Sequence, residues 1–204
     1  MAIRLVAFDL DGTLVRGETC VQAIGRAIGR DYECTAFEQV AMRDRGDVTA
    51  AREQMAVWVG GREAHALCSQ LGSLPLAPGA EEGFALLRKH RLETAVVSMT
   101  WRFAVDWFVA RLGADYAAGT HLAGDGSIRH FWPENKGVWL DQLRGRLGLA
   151  RDEVAAVGDS GGDRELMEAA GMTFFVGSGR PPIEVGFHLP DGNIAEIARL
   201  IVGG

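Results

Sequence analysis

Cysteine and lysine are both scarce in this sequence, and each scarcity narrows the range of functions. The three cysteines, Cys20, Cys34 and Cys68, are odd in number and show no Cys-x-x-Cys spacing. They indicate neither a disulfide framework nor a zinc site, and they favour a reducing compartment, so we expect a cytoplasmic protein. Only two of the 21 basic residues are lysines, Lys89 and Lys136. A lysine retained in an arginine-rich chain is a candidate for a chemical role.

The sequence also lacks long hydrophobic runs and an excess of positive charge. No stretch approaches about 18 uncharged apolar residues, so we expect no transmembrane helix and no signal peptide. The net charge of −6 provides no basic surface for nucleic acid and disfavours anionic membranes. Neither nucleic acid nor membrane is therefore expected as a partner. With 204 residues, 48% hydrophobic and 24% charged, the chain is typical of one globular domain with at most a modest insert.

Short apolar runs alternate with segments of helical spacing over most of the chain. The runs at 3–8, 94–98 and 154–158 have the length and composition of strands that are covered on both faces. Helical spacing appears in five segments, at 78–90, 101–112, 136–147, 164–170 and 193–201. This rhythm predicts an α/β fold with an open parallel sheet and helices on both of its faces, in a Rossmann-like arrangement.

Residues 15–77 show a different pattern. No strand-like run appears there, and apolar residues such as Val21, Ile24 and Ile28 recur at helical spacing. We therefore expect a small helical insert, with the α/β core formed by residues 1–14 and 78–204. Within that core, Gly124-Asp125-Gly126 predicts the tip of a β-hairpin.

Polar side chains cluster where the predicted strands end. In an open α/β sheet the ligand crevice lies beyond the carboxyl ends of the strands, so these side chains should converge. The set consists of Asp9, Asp11, Thr13, Ser98, Asp159 and Asp163, together with Lys136 at the start of a predicted helix. Four carboxylates, hydroxyls and a lysine suit a hard divalent cation beside an anionic ligand. Magnesium with a phosphate group fits this set best.

The spacing of Asp9-x-Asp11-Gly12 also has a chemical meaning. Alternate residues of an extended chain point the same way, and the glycine lets the backbone turn close to a ligand. One carboxylate can then attack phosphorus while its neighbour moves a proton. Two anions that approach each other need neutralising, which a cation and Lys136 would supply.

Other interpretations account for fewer of these residues. A calcium loop that starts at Asp9 would place Leu14 and Cys20 where glycine and glutamate are needed. The Gly-x-Ser-x-Gly pattern at 158–162 matches the nucleophile elbow of α/β-hydrolases, but His188 is then the one downstream histidine, and the aspartates stay unexplained. The same run also matches the serine motif of chymotrypsin-like proteases, but those proteins are β-barrels. A phospho-acceptor signalling domain would share the acid cluster, hydroxyl, lysine and magnesium, but it needs no insert of this length.

The chain resembles the haloacid dehalogenase superfamily of phosphohydrolases, and in particular its phosphoserine phosphatase-like branch. Four motifs occur in the family's order, and the resemblance spans about residues 3–176. The motifs are Phe8-Asp9-Leu10-Asp11-Gly12-Thr13-Leu14-Val15, Val97-Ser98, Asn135-Lys136-Gly137 and Gly158-Asp159-Ser160-Gly161-Gly162-Asp163.

The resemblance implies a magnesium-dependent phosphomonoester hydrolase that acts on a small phosphorylated metabolite through an aspartyl phosphate. Residues 15–77 would form a helical cap over the site. A phosphomutase of the same superfamily is the alternative. The implied roles are Asp9 as nucleophile, Asp11 as general acid and base, Ser98 and Lys136 as phosphoryl ligands, and Asp159, the Asp9 carboxylate and the Asp11 carbonyl as magnesium ligands supported by Asp163.

The resemblance bears on substrate binding as well. Thr13 and Met99 are expected in the phosphate-binding set, although the family usually has glycine where Met99 follows Ser98. Glu18 matches the family's cap glutamate that meets a substrate amino group. Arg52 is the nearest counterpart of the carboxylate-binding cap arginine, out of register by a few residues. Phosphoserine or a related compound is thereby a candidate substrate, and the oligomeric state stays open.

Overall fold

The computed structural model describes residues 2–40 and 45–203, without the side chain of Val40. Within these residues the chain forms seven strands and nine α-helices. The strands are β1 Leu5–Phe8, β2 Glu93–Trp101, β3 Tyr116–Leu122, β4 Ile128–Arg129, β5 Val154–Gly158, β6 Met172–Phe175 and β7 Phe187–His188. The helices are α1 Cys20–Ile28, α2 Asp31–Val40, α3 Arg45–Val59, α4 Ala64–Leu67, α5 Ala80–Lys89, α6 Arg102–Leu112, α7 Pro133–Leu147, α8 Arg164–Glu168 and α9 Ile194–Gly203.

The strands form one twisted sheet in the order β4-β3-β2-β1-β5-β6-β7. Every neighbouring pair runs parallel except β3 and β4, which form the antiparallel hairpin expected around residues 124–126. Strand β1 lies between β2 and β5, so the ends of these three strands meet at the middle of one sheet edge. The predicted α/β fold with an open, mainly parallel sheet is confirmed.

Helices cover both faces of the sheet, as the apolar character of β1 predicts. Val6 and Phe8 of β1 pack into a core with α5, α6 and α9. Leu5 and Ala7 point to the opposite face and pack with α7 and α8. All four residues are completely buried, because the sheet has no solvent-exposed face at this strand.

Strands β6 and β7 lie outside both the three predicted apolar runs and the predicted hairpin of β3 and β4. Strand β6 has four residues and β7 has two, so neither is long enough to show a clear period. Helix α7 begins at Pro133, three residues before the predicted start, because proline is well suited to the first position of a helix. No helix among residues 2–40 and 45–203 combines the length and apolarity needed to cross a bilayer.

The described part of residues 15–77 is helical, with α1 to α4 and a short 3₁₀ turn at Leu71–Ser73. Its two ends meet: Val15 and Leu76 form an isolated antiparallel bridge, and the amide of Ala77 donates to the carbonyl of Leu14 at 2.8 Å. The chain thus leaves and re-enters the α/β core at one point. The division into a core and a cap remains a prediction.

Candidate active site

The ends of β1, β2 and β5 bring the polar residues of three separate motifs together. Asp9 directly follows β1, and its amide donates to the carbonyl of Val157 in β5 at 2.9 Å. Asp159 directly follows β5, and Ser98 lies near the end of β2. This convergence is the one expected at the carboxyl ends of parallel strands.

Lys136 forms the most buried ion pairs among the described residues. Its Nζ lies 2.6 Å from Oδ1 of Asp9 and 2.7 Å from Oδ1 of Asp163. The lysine side chain is 2% exposed, and those of Asp9 and Asp163 are 7% and 0% exposed. Burial alone would lower the pKa of Lys136, but the charges of Asp163 and Asp9 raise it above its ordinary value. The ammonium is therefore a permanent positive charge beside Asp9.

Asp163 holds the loop after β5 in place. Its Oδ2 accepts hydrogen bonds from the amides of Asp159 and Ser160, at 3.0 and 3.2 Å, and from the Ser160 hydroxyl at 3.3 Å. Its other oxygen binds Lys136. A buried carboxylate is stable when its lone pairs are used in this way. Asp163 therefore orients both Lys136 and the backbone that carries Asp159.

Asp11 lies at the beginning of helix α1. Its Oδ1 accepts a hydrogen bond of 2.7 Å from the amide of Cys20, the first residue of that helix. Burial raises the pKa of Asp11 above its ordinary value, whereas the bond to Cys20 and the charge of Lys136 oppose the rise. A carboxyl group with a raised pKa holds a proton more readily near neutral pH, which suits a general acid and base.

Thr13 and Gly12 both lie directly against the Asp159 carboxylate. The Thr13 hydroxyl donates to Oδ1 of Asp159 at 3.1 Å, and Thr13 is completely buried. Gly12 has φ of +91°, and a Cβ there would lie 2.3 Å from Oδ2 of Asp159. Only glycine lets the chain turn this close to the carboxylate. The structure thus brings Thr13 to Asp159, whereas its expected contact with a phosphate remains a prediction.

Three carboxylates form a cluster that is compatible with a divalent cation. Oxygens of Asp9, Asp159 and Asp163 lie within 4.8 Å of one another. Burial and the charge of Asp163 raise the pKa of Asp159 to about 6, and burial followed by Asp163 raises the pKa of Asp9. A divalent cation bound by these oxygens would relieve the repulsion, so the donor set fits a hard cation.

The motif around Ser98 and Met99 contributes main-chain as well as side-chain groups. Ser98 Oγ accepts from the amide of Thr100 at 3.2 Å, so its own hydrogen is available to an incoming oxygen. The carbonyl of Met99 accepts from the Thr120 hydroxyl at 2.9 Å and from Arg52 at 2.7 Å. Met99 therefore connects the sheet to helix α3.

A cavity of about 490 Å³ opens above these residues and is bounded by helices α1 to α3 on one side and by the sheet edge on the other. Its floor includes Asp9, Asp11, Ser98, Met99, Lys136 and Asp159, and its walls include Glu38 and Arg52. The cavity thus contains most of the site residues expected from the sequence.

Glu18 lies elsewhere. Its side chain is 47% exposed and forms an ion pair with Arg26, and Glu18 does not line the cavity found in the described part of the chain. Glu38, which sequence reasoning missed, lines the cavity instead. Burial and the charge of Asp11 raise the pKa of Glu38 to about 7. No motif marks Glu38, because a charged residue on an amphipathic helix usually faces solvent.

Ser160, the serine of the Gly-x-Ser-x-Gly pattern, is hydrogen-bonded within the turn after β5. Ser160 donates to Asp163 and accepts from the amide of Gly162 at 3.3 Å. His188, which that interpretation requires, contacts the carbonyl of Gly177 at 2.8 Å. These contacts give Ser160 a role in the turn after β5.

Known proteins resemble this chain in both sequence and structure. The family described as haloacid dehalogenase-like hydrolase matches residues 6–168. A phosphoserine phosphatase from Albidiferax ferrireducens is 29% identical over 185 residues, covering 83% of this chain and 77% of that protein. Another from Archaeoglobus fulgidus is 28% identical over 176 residues, covering 83% of this chain and 51% of that longer protein.

Solved structures show the same fold at lower identity. A phosphoserine phosphatase, solved as a phospho-aspartyl intermediate analogue, superposes with a TM-score of 0.77 at 23% identity, covering 98% of this chain and 99% of that one. A hydrolase of the same family from Salmonella enterica gives 0.83 at 22% identity, with 98% and 72% covered. The sequence motifs, the arrangement of the strands and the family match agree, and the chain belongs to the haloacid dehalogenase-like hydrolases.

Proposed function

We propose that this protein is a magnesium-dependent phosphomonoester hydrolase that acts on a small phosphorylated metabolite through an aspartyl phosphate. The observation that carries the proposal is the pair of buried contacts from Lys136 to Asp9 and Asp163 at the floor of a cavity that also contains Asp11 and Ser98. Relatives named phosphoserine phosphatase support the reaction class.

Asp9 is the proposed nucleophile. Its Oδ1 is bound by Lys136, so the second oxygen is the one that would attack phosphorus. The Lys136 ammonium would offset the repulsion between this carboxylate and the phosphoryl oxygens, and the Ser98 hydroxyl would donate to one of them. The phosphorus to ester oxygen bond breaks as the bond to Asp9 forms.

Asp11 moves the proton in both half-reactions. It protonates the leaving alkoxide in the first, and in the second it removes a proton from the water that attacks the aspartyl phosphate. The Cys20 amide binds one of its oxygens, so the other is the one proposed to carry the proton. The bond between phosphorus and Asp9 breaks as the bond to water forms, which releases inorganic phosphate and regenerates the Asp9 carboxylate.

Magnesium is part of the proposal. Asp9, Asp159 and Asp163 would hold or support it, with the carbonyl of Asp11 as a further oxygen ligand. When bound, the cation would neutralise charge on the phosphoryl group. We also include a cytoplasmic location, which three buried, unpaired cysteines support.

The nucleophile can be tested with paired variants. Asp9→Asn should abolish release of inorganic phosphate from an aryl phosphate, because an amide is a poor nucleophile. Ser160→Ala should keep much of the activity, because Ser160 serves the turn after β5. The reverse result would favour the elbow interpretation. Assaying released inorganic phosphate also tests against a phosphomutase, which returns the group to a substrate.

A further inference from the structure

The cavity wall contains an ionisable side chain that has no role in the proposed mechanism. This is Glu38 on helix α2, half-buried and facing the cavity. Its carboxylate takes part in no ion pair within 4 Å among the described residues. The positive charge of Arg52, on the same cavity wall, opposes the rise in the pKa of Glu38 that burial causes, but the two side chains form no ion pair. A desolvated carboxylate without a direct cationic contact is unfavourable unless a ligand supplies one.

Glu38 lines the same cavity as Asp11, the proposed proton donor to the leaving group. Thr19 and Glu38 both line the cavity, and the amide of the residue after Thr19, Cys20, donates to Asp11. The charge of Asp11 raises the pKa of Glu38, so the two carboxylates interact within the same cavity. Since Asp11 would protonate the ester oxygen, a substituent next to that oxygen in the leaving alcohol would extend into the cavity that Glu38 lines.

Arg52 has no fork available for a carboxylate. Its Nη2 donates to the carbonyl of Met99 at 2.7 Å and to that of Phe131 at 3.3 Å, which uses both Nη2 hydrogens. Both bidentate edges of a guanidinium include Nη2, so neither edge can receive a carboxylate in this arrangement. Nη1 faces His130 Nδ1 at 3.3 Å, and the guanidinium lies 4.6 Å from the centre of the Trp132 ring.

The second arginine on the described cavity wall is also engaged. Arg45 pairs with Glu134 at 2.6 Å, and its guanidinium lies 4.7 Å from the centre of the Trp132 ring. The remaining wall is largely apolar, with Phe37, Val48 and Met55 among its members. The leaving-group end therefore offers an acceptor for a cation and no vacant fork for a carboxylate.

We propose that the substrates are phosphate monoesters of amino alcohols without a carboxylate, and that Glu38 selects them by accepting a hydrogen bond from the substrate ammonium. This inference rests on the proposed phosphatase activity. An ammonium would give Glu38 the direct cationic contact that Arg52 does not provide, and the bond would be charge-assisted. Burial and the charge of Asp11 raise the pKa of Glu38 to about 7, and an ammonium bound beside it would favour its ionised form.

Wild-type enzyme tests the substrate class directly. O-phosphoethanolamine and O-phosphoserine differ by one carboxylate, glycerol 1-phosphate offers hydroxyls in place of the ammonium, and phenyl phosphate has neither. We expect kcat/KM for O-phosphoethanolamine to exceed those for O-phosphoserine and glycerol 1-phosphate by about tenfold or more. A preference for O-phosphoserine or glycerol 1-phosphate would overturn the assignment.

The role of Glu38 is tested with an isosteric variant. Glu38→Gln should lower the ratio of kcat/KM on O-phosphoethanolamine to that on phenyl phosphate by about 10- to 100-fold, the scale for loss of a hydrogen bond to a charged group. Glu33→Gln, on the same helix but in an exposed pair with Arg30, should leave this ratio within about twofold.

The two proposals fail in different ways. A wild-type enzyme that hydrolyses phenyl phosphate while Glu38→Gln leaves the ratio unchanged would overturn the role of Glu38 alone. A wild-type enzyme that releases no phosphate from any of the four esters would overturn the phosphatase proposal, and the substrate assignment with it.

Discussion

Lys136 lies in the first turn of α7, where a positive charge opposes the helix dipole. Contacts to Asp9 and Asp163 more than offset this effect, because both carboxylates are buried and hydrogen-bonded to the ammonium. The scarcity of lysine in the sequence points to the same residue. A compact ammonium fits between two carboxylates where the broad guanidinium of arginine would not.

Lys136→Arg should lower kcat for an aryl phosphate by about 10² or more, the scale for loss of one preorganised transition-state donor. The charge is kept, so the loss would report the shape of the site. Lys89→Arg, at the exposed end of α5, is the matched control and should have little effect. Steady-state kinetics on both variants decides, and a Lys136→Arg enzyme within a few-fold of wild type would remove Lys136 from the mechanism.

At the scale of elements, helix α7 positions Lys136 by packing closely on α8. A Cβ on Gly137 would lie 2.6 Å from the main-chain carbonyl oxygen of Glu165 in α8. Glycine at this position is therefore required by a helix contact. The hydrogen bond from the Trp132 amide to Asn135 Oδ1, 2.8 Å long, orients the start of the same helix.

Gly137→Ala should destabilise the protein by about 1–3 kcal/mol, because the added methyl group forces α7 away from α8. Gly145→Ala on the same helix meets nothing within 4 Å. That control should raise stability by about 0.5–1 kcal/mol, since alanine is the better helix former. Denaturant unfolding measures both, and equal effects of the two substitutions would contradict the packing argument.

At the scale of the whole molecule, folding concentrates negative charge at one sheet edge. Burial raises the pKa of Asp9, Asp11 and Asp159, and that of Asp159 reaches about 6. A carboxyl group whose pKa rises on folding contributes stability at low pH and loses it as pH rises through the folded value. Without a cation, this cluster should therefore destabilise the protein above about pH 6.

Magnesium should reverse that loss. We expect Tm in excess EDTA to fall between pH 5 and 7.5, and added Mg²⁺ to raise Tm more at pH 7.5, because protons compete with the cation for Asp159 at low pH. Asp159→Asn should reduce the Mg²⁺ effect, whereas Asp125→Asn in the exposed hairpin should keep it. Thermal unfolding is measured at pH 5 and at pH 7.5, each with excess EDTA and with added Mg²⁺. Equal shifts at both pH values, or full phosphatase turnover in EDTA, would contradict the metal assignment.

Local sequence patterns are sufficient to predict much of this fold. The buried strands β1 and β5 follow from continuous apolar runs, and the helical segment between residues 15 and 77 follows from spacing. The residues at the sheet edge follow as well, because strand ends in a parallel sheet must meet. Short strands such as β6 escape prediction, since four residues show no reliable period.

Only tertiary structure decides which insert residues face the cavity. Glu18 lies just before α1 and Glu38 lies within α2, yet Glu18 pairs with Arg26 at the surface and Glu38 lines the cavity. Arg52 faces the cavity but donates to main-chain carbonyls of distant residues. Side-chain direction here depends on how whole helices pack against the sheet, and no local sequence period encodes that angle.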